Sequence, residues 1–284
     1  MYKIVRKQIL TPTITLMDVE APRLASAAKP GQFLIVRAHP DGERIPLTIC
    51  DFDAEKGTVT ICTQAIGSST KMINALEEGE SFTDFAGPLG QPSDFAAWSD
   101  DQIAATRFLF VAGGLGAAPV YPQVKFLKAH GAHIDIIAGA KNAELVILED
   151  ELKSRCDNLY ICTDDGSKGE KGLVTGMIEK LLAEGGKYDR AVAIGPMIMM
   201  KFVAKTLQPS GIPLTVSLNT LMVDGTGMCG ACRVTVGGKT RFACVEGPEF
   251  DAYQVDFDEA MRRQTMYRET EVEKDHKCRI GRDR

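Results

Sequence analysis

The chain has 284 residues, 44% of them hydrophobic and 25% charged, with a formal net charge of -5. That is enough apolar material for a substantial core and about two domains, and the scattered acidic balance excludes the basic footprint of a nucleic-acid binder. No apolar run approaches the roughly 20 residues that cross a bilayer, and charges interrupt the first ten residues where a secretory signal would be continuous, so a cytoplasmic protein with no membrane partner is expected.

Residues 1–98 read as a small antiparallel β-barrel. Short β-type runs at 13–19, 32–38 and 57–64 are separated by Pro and Gly turns. The segment 98–107 is polar and alanine-rich, and after it strands alternate with helices, the rhythm of parallel βαβ units. Strands are expected at 108–112, 133–138, 159–163 and 191–194, with helices starting near Ala118, Asn142, Val174 and Met197. Together these make a doubly wound parallel sheet over residues 99–213. A strand-like run at 214–218 then leads into a Gly- and Cys-rich stretch, taken as a separate small module over 214–250. The charged remainder, 251–284, reads as a helix followed by a frayed tail.

In the first domain, Arg44-Ile-Pro46-Leu47-Thr48 follows a turn, and Gly67-Ser68-Ser69-Thr70 opens a helix. Hydroxyls and free N–H groups at a helix start suit a pyrophosphate, and the first motif suits the edge of a planar ring. Thr63, at the end of the preceding strand, belongs to the same candidate set.

The first strand of the second domain runs into Gly113-Gly114-Leu-Gly116-Ala-Ala118-Pro119. Such a turn brings backbone N–H groups and a helix N-terminus to a pyrophosphate. Pro119 stands where G-x-G-x-x-G needs its last glycine, and the second strand ends in Gly139-Ala-Lys141 without a ribose-binding acid, which disfavours an ordinary dehydrogenase site. Asp164-Asp165-Gly166-Ser167 and Gly195-Pro196 end two further strands at the same sheet edge, where open sheets bind ligands. The two aspartates are also plausible simple turn formers.

The chain contains eight cysteines. Four of them, Cys50, Cys62, Cys156 and Cys162, are scattered in apolar or strand-like contexts and read as small packing residues. The others include Asp224-Gly-Thr-Gly-Met-Cys229-Gly-Ala-Cys232 followed by Cys244, a spacing of D-x4-C-x2-C-x11-C. Plant-type 2Fe-2S sites use C-x4-C-x2-C with a remote fourth cysteine. Aspartate occupies the first position here, as ligand or as turn residue, and Cys278 is a remoter alternative. A zinc-stabilised, non-catalytic regulatory module is the rival reading. His39, His130, His133 and His276 are isolated, and no His-centred catalytic constellation is evident.

Taken together, the R-x-P-L-T and Gly-Ser-Ser-Thr motifs, the GGxGxAP turn and the C-terminal cysteine loop resemble the ferredoxin-NADP reductase superfamily. The module order is similar to that of dihydroorotate dehydrogenase electron-transfer subunits and of the small subunits of NADH-dependent reduced ferredoxin:NADP oxidoreductases. The resemblance extends to about Phe250. It implies FAD at Arg44, Pro46, Leu47, Thr48 and Gly67 to Thr70, and NAD(H) at Gly113, Gly114, Gly116, Asp164, Gly166, Gly195 and Pro196. It also implies hydride transfer between nicotinamide and flavin, followed by single electrons to the cluster. The dihydroorotate-linked subunits normally have cysteine at the position of Asp224, whereas the ferredoxin:NADP subunits use aspartate. The implied partner is then a larger flavoprotein with 4Fe-4S clusters and an NADP(H) site, with ferredoxin served through the complex.

Overall fold

The computed structural model describes residues 2–273 and is built on two seven-stranded sheets and a small hairpin. The first sheet comprises β1 (Tyr2–Thr11), β2 (Ile14–Glu20), β3 (Phe33–Arg37), β4 (Ile45–Asp53), β5 (Thr58–Gln64), β6 (Ser81–Phe82) and β7 (Asp84–Leu89), with helices α1 (Pro22–Ala27) and α2 (Ser68–Ala75). Its order is β6-β1-β2-β5-β4-β3-β7, and its ladders are antiparallel. The edge strands β6 and β7 are separated only by Thr83, whose N–H donates to the Arg37 carbonyl at 2.9 Å. One stretch of chain therefore pairs with β1 at its start and β3 at its end, and the sheet curls into a near-barrel. Closing a sheet in this way removes the exposed edges that would template aggregation.

The two-residue period of β2 sorts its side chains between two cores. Met17 and Val19 fill the barrel with Leu34, Leu47 and Ile61. Ile14 and Leu16 face outward and are buried, with Cys50 and Cys62, against the second domain.

The second domain contains α3 (Asp100–Ala104), β8 (Arg107–Gly113), α4 (Ala117–Ala129), β9 (His133–Ala140), α5 (Glu149–Lys153), β10 (Asn158–Thr163), β11 (Glu170–Lys171), α6 (Val174–Ala183), β12 (Arg190–Ile194), α7 (Met197–Leu207) and β13 (Leu214–Ser217). The hairpin β14 (Arg233–Val236) and β15 (Lys239–Phe242), then α8 (Ala243–Glu246), β16 (Glu249–Asp251) and α9 (Phe257–Gln264), follow. The sheet order is β11-β10-β9-β8-β12-β13-β16, parallel throughout except for β16. Both faces are covered, so β8 is apolar and buried after Arg107: Phe108 and Phe110 enter one core while Leu109 and Val111 enter the other.

Two elements depart from the sequence reading. The helix expected near Asn142 is first a 3-10 turn, Ala143–Leu145, capped by the Asn142 side chain, and the α-helix starts only at Glu149. The run at 214–218, grouped by sequence with the cysteine module, supplies the sixth parallel strand, and β16 returns to pair with it antiparallel. The cysteine loop is thus an excursion between two neighbouring strands of the second sheet. The tail beyond residue 273, with His276 and Cys278, lies outside the described residues.

Candidate functional site

The cysteine loop packs on the barrel. Phe33 and Ile35 of β3 share a cluster with Met222, Cys232, Ala243 and Cys244. Gly225 makes this seat possible: its φ is +77°, and a Cβ there would lie 2.6 Å from Ile35 Cδ1. An L side chain would be strained and would also push the loop off the barrel. Cys232 and Cys244 are both buried, and the Cys244 N–H donates to Cys232 Sγ at 3.4 Å. Burial raises the Cys244 thiol pKa. A thiolate at buried Cys244 needs a compensating cation, which a bound iron would supply.

Cys229 is exposed, next to Met228 at the tip of the loop. The Asp224 carboxylate turns back onto this loop. Its Oδ1 accepts the Thr226 N–H at 2.7 Å and its Oδ2 the Cys229 N–H at 2.9 Å, bonds that hold its pKa below the usual carboxylate range. Among the described residues, no three His, Cys, Asp or Glu side chains converge on a single metal position. The four candidates instead fall into two pairs, Cys232 with Cys244 and Asp224 beside Cys229. A binuclear cluster, which takes ligands on each of two irons, suits that division better than one tetrahedral zinc.

At the start of β4, alternation puts Pro46 and Thr48, with Arg44 just before the strand, on one side, all at least partly exposed, and turns Leu47 into the barrel core. Only the Leu47 backbone is left for a ligand on the outer face. The start of α2 lies across the same region. Gly67 has open space beside its Cα, and Ser68 is partly exposed. The other hydroxyls are already engaged. Ser69 Oγ donates to Glu43 Oε2 at 2.7 Å, Thr70 Oγ1 accepts from the Ile66 and Gly67 N–H groups, and buried Thr63 donates to Asn74 Oδ1 at 2.8 Å. The residues fit a flavin dinucleotide with Arg44, Thr48, Gly67 and Ser68 as the contacting set, and with Thr63, Ser69 and Thr70 shaping the turn behind them.

The parallel strands run β11-β10-β9-β8-β12-β13, so the order reverses between β8 and β12 and opens a crevice at their carboxyl ends. Gly113 and Gly195 face each other there, and a Cβ on Gly195 would come 3.0 Å from Gly113 Cα. Gly116 lets α4 start against the neighbouring strand, because a Cβ would lie 2.1 Å from the Ile194 carbonyl. Space is open beside Gly114, whereas Ala118 and Pro119 are buried in the first turn of α4. Pro196 caps α7 on the far side of the crevice. The third loop is tied in by its own bonds. Asp165 Oδ1 accepts from Ser167 N and Oγ, Ser167 Oγ accepts the Ala143 N–H, and Gly166 has a φ of +78°. Asp164 is exposed. The arrangement fits a dinucleotide pyrophosphate at Gly114 to Gly116, with acidic groups to one side.

The three regions adjoin. The Gly114–Gly116 turn packs against β5, Lys125 of α4 grips Asp51 of β4 at 2.7 Å, and Arg44 Nη2 reaches the Asp224 carbonyl at 3.5 Å.

Comparison with known proteins shows the family. Residues 219–256 match the iron-sulfur cluster binding domain of dihydroorotate dehydrogenase B. An uncharacterised Clostridium beijerinckii protein is 56% identical over 95% of this chain and 92% of its own length. A Thermotoga maritima homolog of the dihydroorotate dehydrogenase B (NAD(+)) electron transfer subunit is 43% identical, again over 95% and 92%. The chain belongs to the dihydroorotate dehydrogenase B electron-transfer subunit family. A chain of the NADH-dependent reduced ferredoxin-NADP oxidoreductase structure, a system of flavin-based electron bifurcation, superposes with a TM-score of 0.91 and 40% identity over 99% of this chain and 98% of that one.

As a member of the electron-transfer subunit family, the chain combines a ferredoxin-reductase-like fold with an iron-sulfur segment. Sequence motifs singled out the residues of these three candidate regions, and the family match covers the cysteine segment. The motifs missed Glu43 and Asp84, which partner Ser69 and Arg44, and the part-buried Glu249. A lone acid in a turn or edge strand carries no spacing signal, and only the folded arrangement shows what it faces.

Proposed function

We propose that the chain is the small subunit of a cytoplasmic, electron-bifurcating NADH-dependent reduced ferredoxin:NADP oxidoreductase, holding FAD, NAD(H) and a 2Fe-2S cluster. The observation that carries the reading is end-to-end similarity to the corresponding bifurcating structure, together with aspartate rather than cysteine at position 224. The partner in this reading is a larger flavoprotein with 4Fe-4S clusters and an NADP(H) site, through which ferredoxin exchanges electrons.

FAD supplies conversion between two-electron hydride transfer and one-electron transfer, and the cluster supplies a one-electron relay. The chain's own residues orient and enclose these groups. Arg44 and the α2 N-terminus offer positive charge to a pyrophosphate. The Gly113 to Gly116 turn and Gly195 bring the nucleotide crevice beside β5, and Cys229, Cys232, Cys244 and Asp224 form the cluster's ligand set. No side chain has to move a proton for the hydride step.

Coexpression with the larger subunit, followed by assay of NADPH oxidation coupled to ferredoxin and NAD reduction, tests the assignment. Coupled turnover is the expected result. Turnover of dihydroorotate with NAD instead would give the chain the role of its dihydroorotate-linked relatives and overturn the bifurcating assignment.

A further inference from the structure

Glu249 lies outside all three candidate regions, on β16, where the chain returns from the cysteine loop to the second sheet. Its Oε1 accepts the Ser93 hydroxyl at 2.9 Å and the Gln123 amide at 2.8 Å. Ser93 belongs to the segment leaving the barrel, and Gln123 lies fully buried on α4. Gly31 completes the packing, since a Cβ there would sit 2.3 Å from Ser93 Oγ and 2.9 Å from Glu249 Oε1. One carboxyl oxygen therefore gathers the barrel, the nucleotide-domain helix and the strand after the cysteine loop.

The amide opposite it is only half satisfied. Gln123 Oε1 is buried and has no hydrogen-bond partner. An ionised carboxylate only accepts, so it leaves that oxygen without a donor, whereas a neutral carboxyl has an O–H to give. Burial opposes ionisation most strongly and Asp94 adds to it, outweighing the Ser93 and Gln123 donors and the Arg190 charge, which favour the carboxylate. Asp94, beside Ser93, repels a second negative charge, and Arg190 of β12 is already engaged by Asp94, the Thr215 hydroxyl and the Trp98 ring. On β13 the ladder partner of Glu249 is the uncharged Ser217, and Gln32, beside Gly31, is uncharged and bonded to the Gly90 carbonyl.

We propose that Glu249 is a proton-linked positioning residue: as a neutral acid it pins the strand after the cysteine loop to the barrel and to α4, and on losing its proton to solvent it releases that strand. Burial pushes its pKa up to about 7, which places the change at neutral pH. The consequence for electron transfer rests on the function proposed above, because Phe250 of the released strand packs against the segment that carries Cys232 and Cys244.

The experiment uses the full chain, wild type and Glu249→Gln, without added cofactors. Infrared titration follows the carbonyl absorption of neutral carboxyl groups, and hydrogen exchange follows the amides of residues 249–251 and 214–217. The wild type is expected to lose one carboxyl absorption as pH rises through about 7. Over the same interval its exchange should quicken by roughly tenfold after correction for intrinsic rates. Glu249→Gln should lack that absorption and show no such step. Loss of every carboxyl absorption by about pH 5, the ordinary range, or equal exchange in the two proteins, would overturn the proposal. Should the variant fail to fold, the wild-type pH profile decides alone. Neither readout involves flavin or iron, so failure here and failure of the cofactor assignment are separately visible.

Discussion

Arg44 and Asp224, 180 positions apart in the chain, meet where a guanidinium nitrogen of the first reaches the backbone carbonyl of the second at 3.5 Å. Arg44 is also 3.9 Å from Asp84. A residue expected at the flavin thus touches the loop expected at the cluster, and electron transfer between the two groups requires just such adjacency.

Replacing Arg44 by alanine should weaken FAD binding by about tenfold, the effect of losing a charge-assisted hydrogen bond worth about 1.5 kcal/mol. Arg44→Lys should recover only part of this, because lysine has no fork to span two acceptors. Quenching of flavin fluorescence on titration measures both. Unchanged affinity in Arg44→Ala would remove the residue from the flavin set.

Gly116→Ala tests the crevice. Its methyl group would have to displace the Ile194 carbonyl, an overpacking that costs about 1–3 kcal/mol and shifts the helix that frames the dinucleotide site. Urea denaturation and NADH titration should both show losses. Gly114→Ala meets no neighbouring atom, but its φ of +53° still strains the backbone, so the smaller stability loss expected is about 1 kcal/mol.

Asp164 is the better lever on nucleotide choice. Asp165 is committed to Ser167, whereas Asp164 is exposed at the end of β10. Asp164→Asn should raise affinity for NADPH relative to NADH by a few-fold, as expected from removing a charge that repels the extra phosphate across a solvated gap. An unchanged ratio would place the adenosine ribose elsewhere.

Glu249 gives a signed pH dependence. Its folded pKa, about 7, lies above the ordinary glutamate value, so between about 4.3 and 7 the folded state holds a proton that the unfolded state has lost. Stability from this group is therefore full below about pH 4.3 and falls as pH rises through 7, by about 3 kcal/mol. The difference in unfolding free energy between wild type and Glu249→Gln should change by that amount from pH 5 to 8. A flat difference would contradict the assignment.

The parts legible in sequence were those with strict spacing or period. The cysteine ladder from Asp224 to Cys244, the glycine turn at 113–116 and the change of rhythm after residue 98 each reflect a local requirement, and local requirements are written locally. What sequence did not show depends on distant chain. Leu214–Ser217 has the same strand pattern whether it opens a new module or completes the second sheet, and only its pairing with Ala191–Ala193 decides. Leu47 looks like its neighbours in the R-x-P-L-T motif until alternation along β4 turns it inward. Glu249 was invisible because its meaning comes from Ser93 and Gln123, each more than a hundred residues away.

Asp224 is separable from the rest of the ligand set. If it completes the cluster, Asp224→Ala should lower iron content and alter the spin-resonance spectrum of the reduced protein, while Asp224→Cys should keep the cluster with a changed spectrum. If its carboxylate serves only the Thr226 and Cys229 amides, cluster content and spectrum should survive Asp224→Asn and Asp224→Ala alike.

The most direct test is cofactor analysis of the full chain purified without oxygen, measuring flavin, iron, acid-labile sulfide and zinc per chain. The expected result is a coloured protein with one FAD and iron and sulfide in equal amounts, corresponding to one 2Fe-2S cluster. A folded, colourless chain with zinc and no flavin would contradict the account.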